Sequence, residues 1–221
     1  MLSLADHKVI ILALLRDGLP YTLRLAALAL VLSMAIGLVL GIVRSLRIPI
    51  VDQILALYSQ ISRGVPGIVI VFFMYTTLRM HDTFTTALIA LTFISAPKIM
   101  EIVKNGLFSV NKGQWEAARS LALPMPVTLI KIVIPQVVLI TLPGIIGQLI
   151  LIVKGTPLVS LIGGVELARR AQYLLVLYGH AFFIYGYVLI IYFILCRCLT
   201  VLSNKIEKSL VRRIIGENYA K

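Results

Sequence analysis

The residues able to do work in this chain are few, and the densest set lies at 111–135, NKGQWEAARSLALPMPVTLIKIVIP. It is the longest polar-containing stretch between apolar runs, and it holds the single tryptophan, Trp115. Asn111 can cap a helix there, with Gln114 three residues on completing a capping-box-like pair. Pro124 stops that helix, because proline lacks an N–H and disfavours a helical residue before it. Pro126 can open a second helix as its first residue. The first helix sets one acid, Glu116, beside the small residues Ala117, Ala118 and Ala122. Small side chains let a foreign backbone come close, and a lone carboxylate offers it a charge. The chemistry that suits this pattern is docking.

Three further places carry candidate residues. Pro143 and Gly144 fall near the middle of an apolar run, where they free backbone groups at membrane depth and suit a helix lining a pathway. Lys154 closes the same run, with Thr156 beside it. A lysine at the bilayer centre costs roughly 2.5–3.5 kcal/mol, but at the end of a span its stem can snorkel to the interface. Lys154 therefore reads as a gate residue or as an anchor, and Arg63, just ahead of Gly64-Val65-Pro66, has the same two readings. Glu166 and His180 read as structural or loop residues.

Catalytic and metal chemistry is not expected. The histidines at 7, 81 and 180 are scattered, and Cys196 and Cys198 form a pair without further ligands nearby. The chain carries no Gly-rich phosphate loop ending in Lys-Ser or Lys-Thr, so ATP hydrolysis would need a separate subunit. No cofactor is expected.

The 111–135 stretch resembles the cytoplasmic motif of permease subunits of bacterial ABC importers. That motif reads Glu-Ala-Ala, three residues, Gly, nine residues, Ile, one residue, Leu-Pro. Here it is matched by Glu116-Ala117-Ala118, Ala122 in place of Gly, Ile132, and Ile134-Pro135, replacements that keep size and character. Other pieces are similar to the polar amino-acid (histidine/glutamine-type) branch: Thr22-Leu23, Arg63-Gly64-Val65-Pro66, Gly113-Gln114 and Lys154-Gly155-Thr156-Pro157-Leu158. The last has Gly155 in place of an acid and Pro157 in place of a hydroxyl residue. The resemblance covers roughly residues 18–202. It implies an all-α, type I importer permease with a cytoplasmic coupling helix. It further implies cytoplasmic ATPase subunits, a second permease (identical or related) and an extracytoplasmic solute-binding protein. It makes Glu116, Ala117, Ala118, Ala122 and Pro135 the ATPase-coupling residues. Arg63, Pro143, Gly144, Lys154 and Thr156 are pathway or gate candidates, the last pair near the outer gate.

The elements that must position these residues follow from composition. The chain has 221 residues, 60% of them hydrophobic, and only 14% charged. Its apolar runs are too long and continuous for alternating barrel strands, so it reads as a helical multi-span membrane protein. Spans are expected at 24–44, 63–78, 83–100, 132–153 and within 171–196, about five in all. Gly37 and Gly41 sit at a spacing that allows close helix contact, and Pro97 kinks or weakens the third span. Residues 49–62 suggest a helix at or part-way into the interface, and Arg79, His81 and Asp82 a short polar turn.

Residues 1–18 read as an interfacial segment, 19–203 as the permease domain with its coupling loop at 105–135, and 204–221 as a basic cytoplasmic tail. The net charge of +12 fits inner loops obeying the positive-inside bias better than nucleic-acid binding. Lys and Arg are commoner on the side of the 105–135 loop, which puts the N-terminus outside and the C-terminus in the cytoplasm of a bacterial inner-membrane protein. Two alternatives stand beside the ATP-driven permease: an ion-coupled secondary transporter, which would be expected to show intramembrane acids or a repeat, and a non-transporting membrane scaffold.

Overall fold

A computed structural model describes residues 3–79 and 82–215, with side chains to residue 210. The expected turn residue His81 and the last six residues of the basic tail lie outside the described residues. Every element is helical: α1 (Leu4–Ala13), α2 (Leu19–Ser45), α3 (Pro49–Gly64), α4 (Gly67–Leu78), α5 (Thr83–Phe108), α6 (Lys112–Ser120), α7 (Met125–Thr128), α8 (Ile134–Gly155), α9 (Leu167–Tyr178) and α10 (Ala181–Ile215). Among the described residues four helical runs are long and apolar enough to cross a membrane, and the bent pair α3–α4 makes a fifth when counted as one span.

Two junctions share one cause. α1 passes into α2 through a π turn at Leu14–Gly18, and α7 into α8 through another at Leu129–Val133. Each π turn lies just ahead of a proline, Pro20 or Pro135, at the start of the next helix. A proline cannot donate to the carbonyl four residues back and clashes with it. Widening the preceding turn absorbs the misfit without ending the helix. Hence residues 4–18 continue into the first span as one run of 42 residues.

The second span is an elbow. α3 and α4 meet at 109°, because Pro66 forces Val65 into extended backbone (φ −93°, ψ 131°). Alone, the 12 residues of α4 reach about 18 Å, short of a ~30 Å hydrocarbon core. Arg63-Gly64-Val65-Pro66 is therefore the bend of a broken span rather than the opening of a straight one.

α5 is the central helix and the most buried span. Asp82 caps it, accepting from the Phe84 and Thr85 amides at 3.1 and 3.0 Å. Its most extensive partner is α2. A Cβ on Gly37 would stand 2.7 Å from Ile99, and one on Gly41 2.7 Å from Val103, so the two glycines are the contact itself. α5 runs through Pro97 without ending. Proline leaves the Phe93 carbonyl without its helical donor, and the Tyr58 hydroxyl of α3 supplies one at 2.9 Å.

Two expected boundaries change. The third span reaches Phe108 rather than Met100, so Lys98 and Glu101 are interior to it. The fifth, expected within 171–196, begins inside those bounds at Ala181, because Gly179 takes a left-handed backbone (φ 70°) that ends α9 first, but it runs on past Cys196 to Ile215. Ala171 to Tyr178 belong to α9, which packs with α10 and the α1 end through Leu167, Ala171, Leu174, Ile184 and Ile10.

Candidate functional site

The segment expected to dock is built as a capped helix. Asn111 accepts from the Gly113 amide at 2.8 Å, while the Gln114 side chain makes no return bond among the described residues, so the box stays half-formed. At the other end the Leu123 amide donates to the Ala118 carbonyl and the Ala122 amide to that of Arg119, at 3.0 and 2.9 Å. This six-to-one and five-to-two pair is a Schellman cap. It places Ala122 in the left-handed region at φ 51°, where a glycine would be relaxed. The alanine standing there keeps size but not backbone ease.

Glu116, Ala117 and Ala122 are exposed, with Leu121 and Met125 as exposed apolar neighbours. Ala118 is not on that face: it is 2% exposed and points inward. Pro135 is half-buried behind the π turn, at the hinge between the docking segment and α8.

A second region lies in the crook of the elbow. A cavity of about 410 Å³ is lined by Ser62, Arg63 and Gly67 at the bend, Ser95 and Lys98 of α5, and Gln148 of α8, with leucines and isoleucines between them. Ser62 is held by the Ile94 carbonyl at 2.8 Å. Lys98 lies roughly 22 Å along α5 from Thr83 at 1.5 Å per residue, and has no carboxylate within ion-pair distance among the described residues. Gln148 is 4% exposed and its amide makes no hydrogen bond among the described residues.

An ion cluster connects the two regions. The buried Arg44 at the end of α2 donates through Nε to Asp52 of α3 at 2.9 Å and through Nη1 to Glu101 of α5. Lys104 lies 3.9 Å from Asp52, and Arg63 3.9 Å from Glu101. The cluster ties the foot of α5, which leads into α6, to the elbow.

The remaining candidates fall apart from the cavity. Lys154 is exposed and lines a separate cleft of about 250 Å³ with Tyr192, Phe193 and Cys196 of α10. Thr156 is fully buried and hydrogen-bonded to the Val153 carbonyl at 2.9 Å and the Tyr192 hydroxyl at 3.1 Å. Tyr192 in turn donates to Glu166 at 2.9 Å, and Glu166 caps α9 through the Ala168 and Arg169 amides. Burial pushes the Glu166 carboxyl above its ordinary value, against those hydrogen bonds. α8 stays helical through Pro143, whose ring is exposed, while Gly144 faces Ile102 of α5 closely enough that a Cβ would stand 3.2 Å away. The sequence reading missed Lys98, Gln148 and Ser95. Gln148 was detectable as one of two amides, with Gln136, within an apolar run, and Lys98 was hidden by drawing its span too short.

The sequence matches the family described as binding-protein-dependent transport system inner membrane component over residues 33–214. It is 36% identical over 166 residues to a probable glutamine ABC transporter permease protein, GlnP, of Bacillus subtilis, covering 73% of this chain and 76% of that protein. It is 29% identical over 213 residues to the L-cystine transport system permease protein TcyB of the same organism, covering 91% and 88%. Among solved structures, an amino acid ABC transporter crystallised with histidines superposes with TM-score 0.82 at 26% identity, covering 93% of this chain and 96% of that one. The MetNI methionine ABC transporter shares the fold, with TM-score 0.73 at 19% identity and coverage of 89% and 96%. Similarity of this extent, over spans that include both the docking segment and the elbow, has one meaning: the chain is a multi-pass inner-membrane permease subunit of the ABC-importer type and belongs to the binding-protein-dependent transport system inner membrane component family.

Proposed function

We propose that this permease imports a polar amino acid, with α6 as the contact that receives the stroke of a cytoplasmic ATPase and the elbow cavity as part of the pathway. The observation that carries the reading is the placement of α6. It is a capped, exposed helix with Glu116 outward, one turn beyond the foot of the most buried span. A push on α6 is passed to α5 and, through Arg44 and Glu101, to the elbow. In this reading Glu116, Ala117 and Ala122 contact the ATPase, and Ala118 and Pro135 hold the segment in shape. Arg63 faces the pathway. Pro143, Gly144, Lys154 and Thr156 act at a distance, Lys154 and Thr156 by joining α8 to α10 near the outer gate.

A second permease, identical or related, completes the pathway, and an extracytoplasmic binding protein delivers the solute. The N-terminus is outside and the C-terminus cytoplasmic, which the basic inner loops support. The amino-acid substrate rests on the relatives' similarity. Affinity purification of the tagged chain in mild detergent tests the coupling: an ATPase retained by the wild type and lost in Glu116→Arg is the expected result. Equal retention by a well-inserted mutant would remove α6 from the interface. The family match argues against both the ion-coupled transporter and the scaffold.

A further inference from the structure

The elbow cavity has a charge and dipole pattern that the import function does not require. α3 ends at it and α4 begins at it, so the negative end of one helix and the positive end of the other face the same space. At the α4 side, the amides of Gly67 and Ile68 make no hydrogen bond among the described residues, while the next two, Val69 and Ile70, both donate to the Pro66 carbonyl. At the α3 side, Pro66 cannot donate to the Ser62 carbonyl four residues back. Around these backbone groups stand two cations, Arg63 and Lys98, and Gln148, which is 4% exposed and whose amide makes no hydrogen bond among the described residues. Among the described residues no Asp or Glu lines the cavity. The nearest acid, Glu101, is engaged by Arg44 and lies 3.9 Å from Arg63.

We propose that this cavity is a carboxylate-selective station that accepts neutral and acidic α-amino acids and rejects cationic ones. The inference rests on the amino-acid reading above and adds the sign of the substrate's side chain. The α-carboxylate sits at the free amides of α4, within reach of Lys98 or Arg63, because helix N-termini and cations both favour an anion. The α-ammonium lies against the carbonyls ending α3 and the Ser62 and Ser95 hydroxyls. A neutral side chain meets the leucines and isoleucines or the Gln148 amide, and an acidic one meets the second cation. A lysine or arginine side chain finds no carboxylate and is repelled by the same two cations. At about 410 Å³ the cavity has room for one such molecule.

The test is equilibrium binding of radiolabelled glutamate, glutamine and arginine to the purified permease–ATPase complex without binding protein, so that any selectivity is the permease's own. Glutamate and glutamine are expected to bind saturably and arginine at least tenfold more weakly. Lys98→Gln is expected to weaken glutamate by about tenfold, the scale of one charge-assisted contact. Arginine binding as tight as glutamine overturns the proposal without use of any variant. So does unchanged glutamate affinity in both Lys98→Gln and Arg63→Gln, each checked for monodispersity and ATPase activity. A parallel ATP-dependent uptake assay in cells separates the two readings. Uptake of no amino acid at all sinks the amino-acid assignment, whereas uptake that prefers arginine sinks only the charge selectivity.

Discussion

Replacing Ala122 with glycine tests whether the docking helix ends as described. Ala122 holds φ 51°, a left-handed conformation that costs a residue with a Cβ about 1–2 kcal/mol. Glycine is free of that cost but loses about 0.5–1 kcal/mol more conformational entropy on ordering. The difference predicts that Ala122→Gly stabilises the end of α6 by about 0.5–1 kcal/mol, or roughly two- to fivefold in the local opening equilibrium. Amide hydrogen exchange reads it directly. The Leu123 N–H, bonded to the Ala118 carbonyl at 3.0 Å, should exchange about two- to fivefold more slowly once intrinsic rates are corrected. Ala117→Gly supplies the contrast: it lies inside the helix, where glycine costs about 1 kcal/mol, and should speed exchange at the same amide. If Ala122→Gly leaves Leu123 unchanged or faster, the cap is not left-handed at that residue and the reasoning fails.

Gly37→Leu places its side chain where the Ile99 side chain and Ala96 carbonyl already lie, so the purified protein should show a lower thermal midpoint; an unchanged midpoint would mean that α2 and α5 do not touch there. Arg44→Gln leaves Glu101 and Asp52 without the cation they share, which should lower the yield of folded protein. Arg44→Lys should recover part of it, because one of the two ion pairs can re-form. Tyr58→Phe leaves the carbonyl freed by Pro97 without a donor and should cost about 1–2 kcal/mol; chemical denaturation of the detergent-solubilised protein that shows no difference would argue against that clip.

The apolar spans and the capped helix α6 were legible because each is written locally: long apolar runs for the first, and an Asn cap followed by small residues and a proline for the second. Gly37 and Gly41 were legible as a close-contact spacing, though only the fold names Ile99 and Val103 as what they touch. The elbow was not legible as an angle: Val65-Pro66 announces an extended residue, but the sequence does not say that α4 then turns by 109° to pack on α5 and the segment after α8. Lys98 was misplaced for a similar reason. Lys98, Glu101 and Lys104 look like the charged end of a span when read alone. In the fold, Arg44 and Asp52 take up Glu101 and Lys104 and so let α5 continue to Phe108. The left-handed backbone at Ala122 had no signal in the residue that occupies it.

The elbow also has a consequence for how the protein is made. During synthesis α1 and α2 leave the ribosome before α3 and α4, and these before α5. A 12-residue α4 is too short to hold a transmembrane position by itself, and the backbone groups opened at Pro66 cannot rest against lipid. The second span therefore becomes stable only when α5 arrives to cover it, with Tyr58 and Ser62 meeting the Phe93 and Ile94 carbonyls. Until then the insertion machinery must shelter the bend. Mutations at that seam should surface as chains degraded during biogenesis before they surface as slow transporters.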